Sequence, residues 1–319
     1  MTAQGVVPLA EIVRSGFAEG WHDGRLVALA ADGSVEFAYG DVEAVMLPRS
    51  SNKPMQAVAM LENGLGLTGE LLALAAASHA GEPFHLEGVH KILAGAGLDE
   101  QALACPPDWP LAEQAKLALV RSGAEKQRIT MNCSGKHAAM LATCVINHWP
   151  TADYLAPDHP MQRAARAAVE RLSGEPVTRD AVDGCGAPLY GISLVGLARA
   201  FRNAVLADPQ TPERRVADAM RAHPEYVSGT DRLDTDLMAG VPGLLAKGGA
   251  EGVQAVALSD GRAVALKVGD GDPDRRAVGP VLVAALRRLG VEEAPVLGRY
   301  AESPLLGGGH PVGAVRSMV

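Results

Sequence analysis

The sequence predicts an α+β protein whose antiparallel sheet is built from both chain ends, with helices packed on it and a helical lobe beside it. Two observations carry that reading: hairpin turn signals lie near both ends, and the long middle of the chain has helical spacing. Residues 25–30 and 34–39 read as strands joined around Asp32-Gly33, a dipeptide that tight hairpins favour. Far along the chain, residues 253–258 and 263–268 flank Asp260-Gly261 in the same way. An amphipathic helix over 274–289 follows, closed by Gly290. Between the hairpins, segments 55–63, 69–77, 83–96, 111–122, 136–147, 160–173, 191–207 and 212–222 repeat apolar residues at helical intervals. Strands from the ends around a helical middle give α+β rather than a βαβ repeat. The chain is therefore expected to form one domain, its α/β part about 1–50 and 225–319 and its helical lobe about 55–222. The run Gly307-Gly308-Gly309 is expected to be a loop or a mobile end.

Composition narrows the partners. With 48% apolar and 21% charged residues the chain is an ordinary globular one, and its 319 residues can bury a sizeable core. A net charge of −8 with scattered Lys and Arg offers no basic face to phosphate backbones or anionic lipid. Neither nucleic acid nor membrane is expected as a partner. The longest apolar stretches, such as 71–77, fall far short of the roughly 20 residues of a membrane span. Residues 1–16 lack a basic start and hold Glu11 within their apolar part, unlike a secretory signal, so a cytoplasmic location is expected. Four cysteines, at 105, 133, 144 and 185, are too sparse for a disulfide framework and read as free thiols or metal ligands.

Several short motifs hold residues able to do chemistry. Pro48-Arg49-Ser50-Ser51-Asn52-Lys53-Pro54 enters the first helix, and a Ser and a Lys three apart can face the same way, so that a neutral amine takes the hydroxyl proton. Taken alone the pair is weak evidence, because Ser50 or Ser51 also serves as a helix cap and a chain with 29 Lys and Arg makes such pairs by chance. Pro54 disfavours helical geometry at Lys53, so an irregular helix start is expected. Asn132-Cys133-Ser134-Gly135-Lys136-His137 places a thiol, an amine and an imidazole at the opening of another helix; the plain alternative is a capped helix with a buried cysteine. In Asp183-Gly184-Cys185-Gly186 glycines flank a cysteine and let the backbone approach something closely, though alone this is a turn. Ser78-His79-Ala80-Gly81-Glu82 ends a helix in a polar turn, and Lys247-Gly248-Gly249 precedes the strand at 253. A Ser-x-x-Lys, a serine on a turn of the helical lobe and a late strand-edge Lys repeat the order of parts in serine β-lactamases and penicillin-binding proteins.

Five collinear stretches make the resemblance specific: Pro48 to Ala57, Ser78-His79-x-Gly81-Glu82, Asn132 to His137, Asp183-Gly184-Cys185-Gly186 and Gly229-Thr230-Asp231-Arg232. Together they resemble the L-asparaginase II family, the thermolabile rhizobial type, from about Gly24 to Gly271. The resemblance implies a serine β-lactamase and glutaminase-like fold, with Ser50 as nucleophile, Lys53 as its base and Ser78 in a second Ser-Lys pair. It also implies that Cys133, Lys136 and Cys185 hold one zinc ion near the substrate. The second lysine is taken as Lys247 for its Gly-Gly context, with Lys267 as the alternative.

The expected reaction is hydrolysis of L-asparagine to L-aspartate and ammonia through an ester on Ser50. A lysine base needs burial or nearby positive charge to act near neutrality, and Arg49, Lys247 and zinc are candidates for that charge. A zwitterionic substrate calls for a cation and an anion, for which Arg49 with Asp183 or Glu82 are chosen, and His137 is counted among the substrate-binding residues. A homodimer is expected. Glutamine or a β-lactam is the alternative substrate, and a zinc-dependent ligand-binding module without catalysis is the alternative from another class.

Overall fold

A computed structural model describes residues 5–319; residues 1–4, which the sequence reading assigns to the α/β part, lie outside the described residues. The first strands are β1 (Val7–Arg14), β2 (Phe17–Leu29) and β3 (Val35–Tyr39). Helices α1 (Lys53–Glu62), α2 (Gly69–Ala75), α3 (Pro83–Gly95), α4 (Glu113–Arg121), α5 (Ser134–Ile146) and α6 (Pro160–Ser173) follow. A small hairpin, β4 (Arg179–Val182) and β5 (Pro188–Gly191), leads to α7 (Leu194–Leu206), α8 (Pro212–Ala222), α9 (Pro224–Val227) and α10 (Leu233–Gly240). The chain then returns to the sheet with β6 (Leu245–Gly249), β7 (Val253–Ala257) and β8 (Ala263–Val268). It ends with α11 (Val278–Arg288), α12 (Pro295–Tyr300), β9 (Glu302–Gly307) and β10 (His310–Ser317).

The main sheet is antiparallel and eight-stranded, in the order β6-β7-β8-β2-β1-β10-β9, with β3 also on β2. The fold is thus α+β, its sheet drawn from both chain ends around a helical middle. β2 is its longest strand. One edge of β2 pairs with β1 and then β3, while its second half pairs with β8 from Gly24↔Val268 to Leu29↔Ala263. β6 and β7 are buried at every position and β8 at all but one, which explains their nearly unbroken apolar character. Helices α7 and α11 both pack on β7 and β8, and α1 packs on α5, α6 and α8 within the lobe.

Three details differ from the sequence reading. β2 begins eight residues before the expected strand at 25, because β1 and the first half of β2 form a further hairpin. Ser15 and Gly16, both at positive φ, make its two-residue turn. Register shifts between Pro8 and Ala10 and between Ile12 and Val13 break the apolar alternation that marks a strand in sequence. Gly307-Gly308-Gly309 is neither loose loop nor free end: Gly308 and Gly309 are the positive-φ turn of the β9–β10 hairpin, with Gly307 paired to His310. The helix expected from 274 starts at Val278, because the buried Asp272 carboxylate accepts the N–H groups of Arg276, Ala277 and Val278 and fixes the start there. Among the described residues, no helix is long and apolar enough to cross a membrane.

Candidate active site

The segment after Pro48 folds as a 3-10 turn, Arg49–Asn52, that runs into α1. The irregular start expected from Pro54 is present, but it falls on this turn and on Arg49, at φ 52°, whereas Lys53 is helical at φ −59°, ψ −35°. Pro54 is tolerated because an N–H in the first helical turn needs no helical partner. The two serines then diverge. Ser51 is fully buried and its hydroxyl donates to the Pro48 carbonyl at 2.7 Å, whereas Ser50 is half-buried and lines a cavity.

That cavity, of about 450 Å³, lies where the 3-10 turn, the 76–82 turn, the 228–234 segment and β6 meet, a size suited to a small molecule. Ser50, Ser78 and Lys247 all line it. Lys53 sits behind them, 1% exposed, its Nζ donating to the Ala77 carbonyl at 2.5 Å and to Ser78 Oγ at 3.0 Å. The amine one helical turn after Ser50 is therefore hydrogen-bonded to the other serine. The backbone fixes Ser78 in turn: its N–H donates to Val227 O, and the next N–H donates to Asn132 O.

Lys247 is a buried lysine in a sheet strand, an expensive placement without a purpose. Its Nζ donates to Gly248 O at 2.7 Å and lies 3.8 Å from Asp234 Oδ2. Burial lowers its pKa to about 7; Asp234 pulls the other way, and the charges of Lys53 and Arg275 reinforce burial. Asp234 also accepts from the Gly248 N–H and from Gln254 Nε2, each at 2.8 Å. Lys267 is elsewhere: it donates to Glu251 O and Val268 O and does not line the cavity.

The three expected metal donors come together in a buried group next to the cavity. Lys136 Nζ donates to Cys185 Sγ at 3.2 Å, and Cys133 donates to the side-chain oxygen of Asn132, a cavity residue, at 2.9 Å. The neighbouring Cys133 thiol and the charge of Lys136 hold the Cys185 thiol below its ordinary pKa, which favours the thiolate, whereas Cys133 is pushed up. His137 joins the group with Nδ1 against Tyr154 OH at 2.7 Å; its Nε2 is buried without a hydrogen-bond partner among the described residues. Burial lowers the His137 pKa to about 4, so the imidazole is neutral. Two sulfurs and an amine suit a zinc ion in chemistry, and Cys185 is already disposed to ionise. Among the described residues, however, no three His, Cys, Asp or Glu side chains gather as a metal-binding group, so this set depends on the amine of Lys136.

The expected substrate-binding residues are placed less directly. Arg49 and Asp183 pair with each other at 2.8 Å, tying the 3-10 turn to the β4–β5 loop that carries Cys185. Glu82 accepts from the N–H and hydroxyl of Thr230, both at 3.2 Å. None of Arg49, Asp183, Glu82 or His137 lines the cavity.

A family model described as L-asparaginase II matches residues 10–317, nearly the whole chain. The chain belongs to the L-asparaginase II family. As a member of that family it is an amidohydrolase. Solved structures similar to this family member include a β-lactamase from Mycobacterium bovis, at 16% identity and TM-score 0.47, covering 83% of this chain and 94% of that one. Mglu in its native form matches at 13% identity and TM-score 0.46, over 90% and 70% of the two chains. A Bacillus glutaminase matches at 12% identity and TM-score 0.38, over 84% and 91%. No curated protein sequence matches the chain.

Sequence reasoning gave no role to Asn132, Asp231, Arg232, Asp234, Arg275 or Tyr300, all of which line the cavity of this asparaginase II chain. Asn132, Asp231 and Arg232 lay inside quoted motifs, a signal that was present and unused. Arg275 and Tyr300 carry no local mark: Arg275, in the loop before α11, is held at the cavity by its hydrogen bonds to Gly249 O and Gln254 Oε1, and Tyr300 lies in α12, which packs on α10.

Proposed function

We propose that this chain hydrolyses the side-chain amide of L-asparagine, with Ser50 as nucleophile. The observation that carries the reading is one cavity lined by Ser50, Ser78 and Lys247, with Lys53 Nζ on Ser78 Oγ at 3.0 Å. In this mechanism Lys53 takes the Ser50 proton as it gives one to Ser78, and Ser78 passes its own to neutral Lys247. The net transfer runs from Ser50 to Lys247 and leaves the charge of Lys53 unchanged. The Ser50 oxygen attacks the amide carbon, the relay run backwards protonates the departing ammonia, and water cleaves the aspartyl ester by the same route. The reading includes a cytoplasmic homodimer acting on this small amino acid.

The test is ammonia release from purified protein given asparagine or glutamine, with nitrocefin as the β-lactam probe. Asparagine turnover that Ser50→Ala lowers at least about 1,000-fold is expected. Ser51→Ala should stay within about tenfold, because its hydroxyl serves only the Pro48 carbonyl. Glutamine turnover alone would change the substrate, and a silent Ser51→Ala beside an active Ser50→Ala would move the nucleophile.

We also propose that Cys133, Lys136 and Cys185 hold a zinc ion. When bound, it supplies fixed positive charge and a Lewis acid beside the cavity. Elemental analysis of protein purified without chelator should find about one zinc per chain, and the double variant Cys133→Ser, Cys185→Ser should find almost none. Equal zinc in both, or none in the parent protein after zinc is supplied, returns both cysteines to packing.

A further inference from the structure

Among the described residues, Arg232 is the cavity-wall cation with the fewest protein partners. Lys247 is spent on Gly248 O and Asp234, and Arg275 donates to Gly249 O and to Gln254 Oε1. Arg232 makes one hydrogen bond, from Nε to Ser228 Oγ at 3.2 Å, and its two Nη groups have no protein partner among the described residues. It is nonetheless partly buried, and burial lowers its pKa. Five donors in a planar fork with the outer four unpaired match a carboxylate.

Its neighbour supplies the opposite charge. Asp231 is exposed, lines the same cavity and has no hydrogen bond or ion pair among the described residues. The turn that presents both is held stiffly: Glu82 accepts from Thr230, and the Thr235 hydroxyl donates to Gly229 O at 2.7 Å. Gly229, at φ 120°, lies so close to Ala80 that an added Cβ would come within 2.4 Å of the Ala80 Cβ. The turn therefore abuts the segment carrying Ser78, and its two charged side chains share the cavity with both candidate serines. An α-amino acid bears its carboxylate and ammonium on one carbon, and consecutive Arg and Asp residues offer the complementary pair.

We propose that Arg232 binds the α-carboxylate and Asp231 the α-ammonium of the amino acid whose side-chain amide meets Ser50. This rests on the amidohydrolase reading above and names the residues that confine it to free amino acids.

The test compares asparagine with β-alaninamide, which lacks the α-carboxylate, and with succinamate, which lacks the α-ammonium. In the parent protein, kcat/KM should favour asparagine over β-alaninamide by about 30-fold or more, the worth of a charged hydrogen-bonded pair. Arg232→Met should shrink that preference to within about threefold, mainly through KM, and Arg232→Lys should give an intermediate ratio. Asp231→Asn should shrink the preference over succinamate in the same way. A parent-like ratio in Arg232→Met, or an equal loss on both amides, overturns the proposal. If the parent protein cleaves no amide, the functional reading fails, and calorimetric titration with L-aspartate decides this one separately. Binding weakened at least about tenfold in Arg232→Met supports it; equal binding, or none in the parent, overturns it.

Discussion

An amine enclosed in a sheet must be paired, neutral or close to neutral, and Lys247 is at that boundary. Burial drives its pKa to about 7 against the pull of Asp234, with Lys53 and Arg275 adding to the downward push and Cys133 opposing it. Below that pH the amine is protonated and cannot accept a proton, so kcat/KM should fall as pH drops through about 7. Asp234→Asn removes the anion that raises the pKa, so the acid limb should move to lower pH. Lys247→Met should abolish the limb with the activity. Rates across about pH 5 to 9 check the sign, and a limb that Asp234→Asn leaves in place counts against Lys247 as the titrating group. At this scale the fixed order of polar residues in the sequence singled out Ser50, Lys53, Ser78 and Lys247, and the fold gathers Ser50, Ser78 and Lys247 about one cavity with Lys53 bonded to Ser78. It was silent on Asp234, which looks like any acidic residue of a helix's first turn until β6 is laid against it.

Elements were read well where one pattern runs without interruption, as in α5, α6 and α8, and poorly where a single side chain overrules it. Asp272 is such a case, because helical spacing continues upstream of Val278 while one carboxylate collects three N–H groups and ends the helix there. The same loop carries Arg275 to the cavity, its N–H donating to Asp272 O at 2.8 Å. Asp272→Ala should therefore cost ~1–2 kcal/mol in urea unfolding and also raise KM, as Arg275 loses its fixed approach. Asp272→Asn keeps one acceptor and tolerates the positive φ of this position, so it should recover much of the stability. Unchanged unfolding in Asp272→Ala would mean that packing of α11, not its cap, sets the helix start. β1 and the first half of β2 escaped the sequence reading for a related reason: two bulges scramble the alternation that periodicity detects.

At the scale of the molecule, the sheet joins what the chain keeps far apart. Gly24 pairs with Val268, and Ala10 pairs with Ser317, so β1 and β2 cannot complete their ladders until nearly the whole chain is available. The cavity depends on the same closure, since Ser50 follows β3 and Lys247 lies in β6. The turn signals at both ends made the sheet's origin readable in sequence, but not its order, because nothing local says which strand lies beside β2. A chain emerging from the ribosome thus presents the open edges of β1 and β2 through the synthesis of the entire helical middle, exposed to self-association and to chaperones. Refolding should be slow for the same reason, and recovery of ammonia release should lag behind recovery of helix signal in circular dichroism. The early hairpin waits for the late one, and the enzyme exists only from the moment they meet.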